Sequence, residues 1–336
     1  MAVEVIGPDG RGYFKPLIEI CDFIVQPALP WFSLAERVLL ERTLYGDFET
    51  CSSDEMMVGR IEGQIVGTAW YHVGRENRAV GAMGYVFTSE EHRGKGVSSC
   101  LVQVALARFK KGGGRCMYLG TGNPAAHHVY GKYGFRDYNG HVMRYLTESM
   151  DDEAFDRVFF ANTGRALVRD AHWGDLSACT ALCAAPHPWF VKDYREALFS
   201  HPALTQTRCV SVFPSMMLSN EQTGNALLLL ESPANRIVGA ARITHGDAVC
   251  QRHVAELEFT VYPTYQNQIT EFLHVAIDRA VGSGVRVLRT FSASCDEERR
   301  SILEEMGFTG GVVLEDQLKV GQEVFDLEIH RYGIHP

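Results

Sequence analysis

Apolar residues recur along this chain in two rhythms, and the places where the rhythm switches mark its elements. Met56–Arg60 and Gln64–Val73 are rich in β-favouring residues and flank Glu62-Gly63, which predicts two strands joined by a tight turn. Val80–Thr88 predicts another buried strand, running into the polar turn Ser89-Glu90-Glu91-His92. The period then changes. Val97, Cys100, Leu101, Val104, Ala105 and Phe109 fall at helical spacing, so an amphipathic helix is expected from Val97 to about Lys111, ended by Gly112-Gly113-Gly114. Cys116–Leu119 predicts a short strand. Asn123-Pro124 reads as an N-cap with proline in the first turn of a helix lasting to about Lys132. Gly134 breaks it, and Phe135–Leu146 is expected as one strand. Before residue 50 the pattern is interrupted by Pro8, Pro16, Pro27 and Pro30. One helix stands out there, Ser33–Tyr45, with Ser33 and Glu36 spaced as a capping box. Trp31, Phe32, Tyr45 and Phe48 read as core aromatics.

Residues 147–163 are acidic, with Glu148, Asp151, Asp152, Glu153 and Asp156, and the domain boundary is expected there. Beyond it come a strand at Ala166–Arg169, a helical run from Leu176 to Cys183, and strands at Ala226–Leu230, Arg236–Thr244 and Ala255–Val261. A helix at Ile269–Val281, a strand at Val285–Leu288 and a helix at Glu297–Met306 follow, the last stopped by Gly307-Phe308. Tyr85–Phe135 and Phe259–Phe308 share the order strand, turn, helix, glycine-broken turn, strand, helix, Gly-Phe. That order suggests an internal duplication, with one fold per half: a first domain at 1–150, an acidic linker at 151–163 and a second domain at 164–336.

Composition narrows the function. At 336 residues the chain has room for two domains, and 46% hydrophobic with 22% charged residues is a globular balance. A net charge of -9 speaks against a nucleic-acid partner. Glu4, Asp9, Arg11, Lys15 and Glu19 interrupt any signal-peptide core, and no apolar run approaches membrane-spanning length. The nine cysteines form no C-x-x-C pair, so neither zinc nor a disulfide framework is expected, and a cytoplasmic setting follows. The adjacent His127 and His128 point to different helix faces, which argues against a metal.

The segment with the clearest chemistry is Arg93-Gly94-Lys95-Gly96-Val97-Ser98. It lies between a buried strand and the first turn of an amphipathic helix, where unpaired N–H groups and the helix dipole gather negative charge. Gly94 and Gly96 leave no side chain to block a diphosphate, and Arg93 and Lys95 add positive charge. The spacing is neither a Walker loop nor a dinucleotide fingerprint.

Here the sequence resembles the GNAT acetyltransferase superfamily. Arg93, Gly96 and Ser98 match its R/Q-x-x-G-x-G/A signature, with Ser98 where Gly or Ala is usual. Asn123, Ala126, Val129, Tyr130, Gly134 and Phe135 match its N-x-x-A-x-x-[LV]-Y-x-x-x-G-F motif. The match is strong over Val80–Phe135 and weaker from Arg60 to Leu146. The resemblance implies an α/β fold (α+β mixed sheet): two tandem GNAT-like domains, each a mixed, mostly antiparallel sheet flanked by helices. It implies that coenzyme A lies where the strand ending at Thr88 splays from that at Met117–Leu119. Val86 and Thr88 would meet the pantetheine arm, the amides from Arg93, Gly94, Lys95, Gly96, Val97 and Ser98 the pyrophosphate, and Asn123 and Ala126 the cofactor further along.

The implied reaction is attack by a small-molecule amine on acetyl-CoA or another acyl thioester through a tetrahedral intermediate. Tyr130, on the helix face of Asn123, is the candidate general acid. Many relatives carry a glutamate on the strand before the phosphate turn, but Val80–Tyr85 has no acid. His72 is a candidate substitute, a water relay or a residue from the second half are others, and no base is assigned; Glu90, Glu91 and His92 read as a solvated turn. In the second half, Asn267 and Ile269 stand where the glycines are expected, and Ile269 is expected to exclude pyrophosphate. Glu256 and Glu258 share a strand face there. This degenerate repeat would complete the acceptor pocket or form a homodimer contact. Open alternatives are a non-catalytic CoA-binding regulator, a longer acyl transfer or decarboxylation, and a scaffold of two inactive repeats.

Overall fold

The computed structural model describes residues 1–7, 15–28, 33–139, 142–199, 209–320 and 322–333; Pro8, Pro30, Trp31 and Phe32 lie outside them. Over these the chain divides into two units, within Met1–Asp151, His172–Ala181 and Thr207–Ser215 for the first, and Asp152–Ala171, Leu182–Gln206 and Met216–Pro336 for the second.

The first unit contains β1 (Ala2–Ile6), α1 (Lys15–Ala28), α2 (Leu34–Tyr45), β2 (Ser52–Ile61), β3 (Gln64–Gly74), β4 (Val80–Thr88), α3 (Val97–Lys111), β5 (Cys116–Gly120), α4 (Pro124–Lys132), β6 (Arg136–Asn139) and β7 (Val142–Leu146). Its sheet runs β1-β2-β3-β4-β5-β7-β6, antiparallel except for β4 beside β5. Proline hid α1 from the sequence: Pro16 sits in its first turn, where a missing N–H costs no bond. The capping box of α2 forms as expected, Ser33 Oγ accepting from the Glu36 amide (3.2 Å) and Glu36 from the Ser33 amide (2.9 Å). The stretch expected as one strand from Phe135 to Leu146 is instead two antiparallel strands, β6 and β7. Tyr45, expected in the core, is exposed, whereas Phe48 is buried and stacks on Trp173 at 4.7 Å.

The second unit contains α5 (Asp152–Phe159), which turns part of the acidic stretch into a helix by burying Phe155 and Phe159. After β8 (Leu167–Asp170) comes α6 (Leu176–Ala184), whose residues up to Ala181 belong to the first unit, then β9 (Val191–Asp193), β10 (Leu198–Phe199), α7 (Cys209–Thr223), whose residues up to Ser215 belong to the first unit, β11 (Ala226–Glu231), β12 (Ile237–His245), β13 (Val254–Val261), α8 (Ile269–Gly282), β14 (Val287–Ala293), α9 (Glu297–Glu305), β15 (Thr309–Val320) and β16 (Glu323–Gly333). Its large sheet runs β8-β11-β12-β13-β14-β16-β15, with β13 parallel to β14. This is the strand order of the first unit repeated, as the duplicated sequence pattern implied.

In the first unit, one face of the sheet carries α3. Val97, Leu101, Val102, Ala105 and Phe109 pack with Met57, Ala69, Tyr71, Val73 and Met83. Alternation along β3 puts Trp70 and His72 on the other face. There the returning segment at 172–175 packs closely: a Cβ on Gly174 would lie 2.2 Å from the Cys51 carbonyl oxygen.

Candidate functional site

β4 starts as an interior strand and ends as something else. Val80, Gly81 and Ala82 pair with Cys116, Met117 and Tyr118 of β5, and there the pairing stops. One extra residue then enters β4, between Gly84 opposite Trp70 and Phe87 opposite Thr68. Tyr85 takes a φ of 48°, and Thr68 Oγ1 donates to its carbonyl (2.9 Å). A bulge of this kind bends its strand, and here it follows directly on the end of the pairing with β5. Val80–Met83 are buried, whereas Gly84–Thr88 are half-buried, so a fork opens between β4 and β5.

The fork leads to the predicted bend. After the turn Glu90–His92, Gly94 and Gly96 take φ values of 74° and 80°, a region where side chains are disfavoured, and a Cβ on either would meet nothing within 4 Å among the described residues. Gly96 caps α3 without any side-chain bond, and the amides of Gly94, Gly96, Val97, Ser98 and Ser99 reach no acceptor among the described residues. Unbonded amides at a helix N-terminus form an anion site. Val97 is buried and offers only its backbone; Ser98 is half-buried. Arg93 and Lys95 stand exposed at the rim, Arg93 paired with Glu90 at 3.3 Å.

Along the fork, Thr88 Oγ1 is buried without a partner among the described residues, and Val86 packs partly against the core. Asn123 caps α4, its Oδ1 accepting from the amides of Ala125 (2.9 Å) and Ala126 (3.4 Å). Ala126 is half-buried beneath it. Tyr130 has its ring buried against Phe135 at 5.8 Å, while its hydroxyl has no partner among the described residues. Burial pushes its pKa up to about 12, so the phenol stays protonated. His127, by contrast, is tied to Asp137 at 2.6 Å on the surface. Among the described residues no group of His, Cys, Asp and Glu suits a metal, and no helix is long and apolar enough to cross a membrane.

The sequence did not show what surrounds His72. Asp54, His72, Ala82 and Tyr118 are register partners across β2, β3, β4 and β5, so they form a row on one face of the sheet, the last row before β4 and β5 part. His72 is 2% exposed, and neither ring nitrogen has a hydrogen-bond partner among the described residues. Burial lowers its pKa, outweighing the Asp54 and Asp175 carboxylates and the nearby Trp173 backbone, which favour the charged ring; His172 adds to the lowering. Asp54 accepts from Ser52 Oγ (2.5 Å) and Trp70 Nε1 (3.0 Å), and its own pKa is raised by burial. Ala82 leaves only a methyl between His72 and Tyr118. On the same face a small pocket is lined by Thr43, Gly46, Phe48, Asp54, Met56 and Trp70.

The corresponding turn of the second unit differs in a way the sequence misplaced. Ile269 is buried at the first position of α8, the place Val97 holds in α3, so it does not obstruct a phosphate path. Gln266 and Gln268 occupy the places of Gly94 and Gly96, in a 3₁₀ turn from Pro263 to Gln268. Their side chains are engaged, Gln266 Nε2 donating to Glu298 (3.2 Å) and Gln268 Oε1 accepting from the Ala166 amide (2.8 Å).

Residues 17–135 match the profile of the Acetyltransferase (GNAT) family. No curated protein matches the chain in sequence. Among solved structures, a ribosomal-protein-alanine N-acetyltransferase from Brucella melitensis is 19% identical, with a TM-score of 0.42 over 50% of this chain and 99% of its own. An acetyltransferase from Salmonella typhimurium, solved with acetyl-CoA, is 18% identical, with a TM-score of 0.41 over 51% of this chain and 95% of its own. A phosphinothricin acetyltransferase from Sinorhizobium meliloti, also with acetyl-CoA, is 14% identical, with a TM-score of 0.41 over 51% and 89%.

Proposed function

Since residues 17–135 form a GNAT acetyltransferase domain, we propose that the first unit transfers an acyl group, acetyl in the first instance, from a coenzyme A thioester to a small-molecule amine. The observation that carries this reading is the continuity of the β4–β5 fork with the bare amide bend at Gly94–Ser99. The bend takes the diphosphate, the fork the pantetheine arm, and the thioester then lies toward the closed end of the fork, near Ala82.

Each group has one task in this scheme. The amine attacks the thioester carbonyl, forming a C–N bond and a tetrahedral intermediate. His72, neutral because burial lowers its pKa, accepts the amine's proton directly or through one water. Collapse of the intermediate breaks the C–S bond, and the departing thiolate takes a proton from Tyr130, which burial keeps protonated. The cavity beside Asp54 and Trp70 belongs to the acceptor side.

A second reading has one observation in its favour: Ala82 and Gly84 leave β4 without an acid, which suits a CoA-binding regulator. Calorimetry with coenzyme A, followed by thiol release from acetyl-CoA across a panel of amines, separates the two. No heat with coenzyme A removes both readings; heat without thiol release, for any amine, removes the transferase.

A further inference from the structure

The second unit repeats the fork but not the opening. β13 and β14 pair in parallel from Val254–Val287 to Glu256–Arg289 and then part, just as β4 and β5 do. Yet the strand beyond the last pair, Leu257–Val261, is wholly buried. The space is filled by Arg299 of α9, which is 0% exposed. Its Nη1 donates to the Phe259 carbonyl of β13 (2.9 Å) and its Nε to the Phe291 carbonyl of β14 (2.8 Å). Its Nη2 reaches Thr290 Oγ1 (3.3 Å) and Glu258 (3.4 Å). The guanidinium thus bridges the two strand edges that have lost each other. Phe259, Tyr194 and Trp189 surround it at 4.2, 5.2 and 5.3 Å from ring centre to guanidinium carbon.

A strap across the same gap holds the arrangement. The Tyr194 amide donates to Glu258 (3.0 Å), the Tyr194 hydroxyl donates to Asp296 (3.0 Å) and accepts from the Ala293 amide, and the Phe190 amide donates to Asp296 (2.7 Å). Arg299 comes three residues after the N-cap Asp296 of α9; three residues after the N-cap Asn123 of α4 stands Ala126. The helix position that Ala126 holds in the first unit is thus held by Arg299 in the second.

We infer that Arg299 is a built-in occupant of the second fork, taking the strand-edge carbonyls that an amide-bearing ligand arm would need, so that the second unit is closed to coenzyme A thioesters and the chain takes them only in the first. Removing it exposes two strand carbonyls and leaves Glu258 without its cation, so the closure is costly to undo.

Hydrogen exchange on the intact chain, with and without saturating coenzyme A, tests this. Slowed exchange confined to segments within 83–99 and 116–130 is expected, with 257–269 and 289–299 unchanged. Slowing in the latter segments overturns the inference, whatever the first unit does. No slowing anywhere removes the proposed function while the second fork stays closed. A second arm needs no ligand: Arg299→Ala, or Arg299→Lys should the alanine variant not fold, is expected to exchange at least about tenfold faster at 257–261 and 290–293, about 1.4 kcal/mol of lost protection. Exchange as slow as in the unchanged protein there removes the plug.

Discussion

Two forks built on one strand order have opposite contents. In the first unit the strands part at Ala82, a bulge at Tyr85 follows, and the space leads to a bend of glycines and unbonded amides. In the second the strands part at Glu256, but an arginine takes the Phe259 and Phe291 carbonyls and a strap the Ala293 amide, and glutamines replace the bend's glycines. A duplicated sheet fixes where an opening can form; a few side chains decide whether it stays open. The acids differ in the same sense. Glu258 lies on the strand equivalent to β4, but it is buried against Arg299 and the Tyr194 amide, so it serves the plug and not an incoming amine; burial, with Asp193 adding to it, raises its pKa to about 8 despite Arg299.

The strongest test of this contrast is His72→Gln. Loss of the base is expected to lower kcat/KM by about 10²–10⁴. The acid limb moves with it. His72 must be neutral to accept a proton, and its pKa is lowered, so the unchanged enzyme should lose rate only below the ordinary histidine range near pH ~6.5. The groups facing it are Asp54, Asp175 and His172. A variant with normal rate and the same limb assigns the base elsewhere.

Tyr130→Phe is expected to cost about a hundredfold in kcat with coenzyme A affinity unchanged, since the ring's packing survives and only the proton donor goes. Unaltered turnover takes the phenol out of the reaction.

Gly94→Val with Gly96→Val should weaken coenzyme A by about a hundredfold, because β-branched residues at positive φ cost about 1–3 kcal/mol each and their methyls enter the phosphate space. Calorimetry reads this directly; undiminished affinity moves the diphosphate away from the bend.

The smallest effect expected is none. Gln266→Gly with Gln268→Gly restores the glycines of the second bend but leaves Arg299 in its fork, so titration should still give one coenzyme A per chain. A second binding event would mean that the bend alone had kept the cofactor out.

Much of the bend and of the helices beside the first fork was legible in sequence because their determinants are local. Glycines at positive φ, a proline-bearing N-cap at Asn123-Pro124 and helical spacing from Val97 are all written within a few residues. What was hidden depends on pairing between distant strands. Nothing near His72 shows that Asp54 is its neighbour on one side and Ala82 on the other. The bend of the second unit was misaligned by one position, because glycine-to-residue matching ignored that Val97 and Ile269 both begin helices and face inward. Arg299 did leave a signal: it sits three and four residues before the buried Ile302 and Leu303, on the apolar face of α9, where a charge requires partners.

The division of the chain itself constrains how the protein can be made. The first unit includes His172–Ala181, with Trp173 stacked on Phe48 and Gly174 seated on the Cys51 backbone. During synthesis, therefore, the leading lobe cannot finish folding when its own sheet has emerged from the ribosome; it waits for a clasp encoded after β8. No single scission of the gene yields two complete halves.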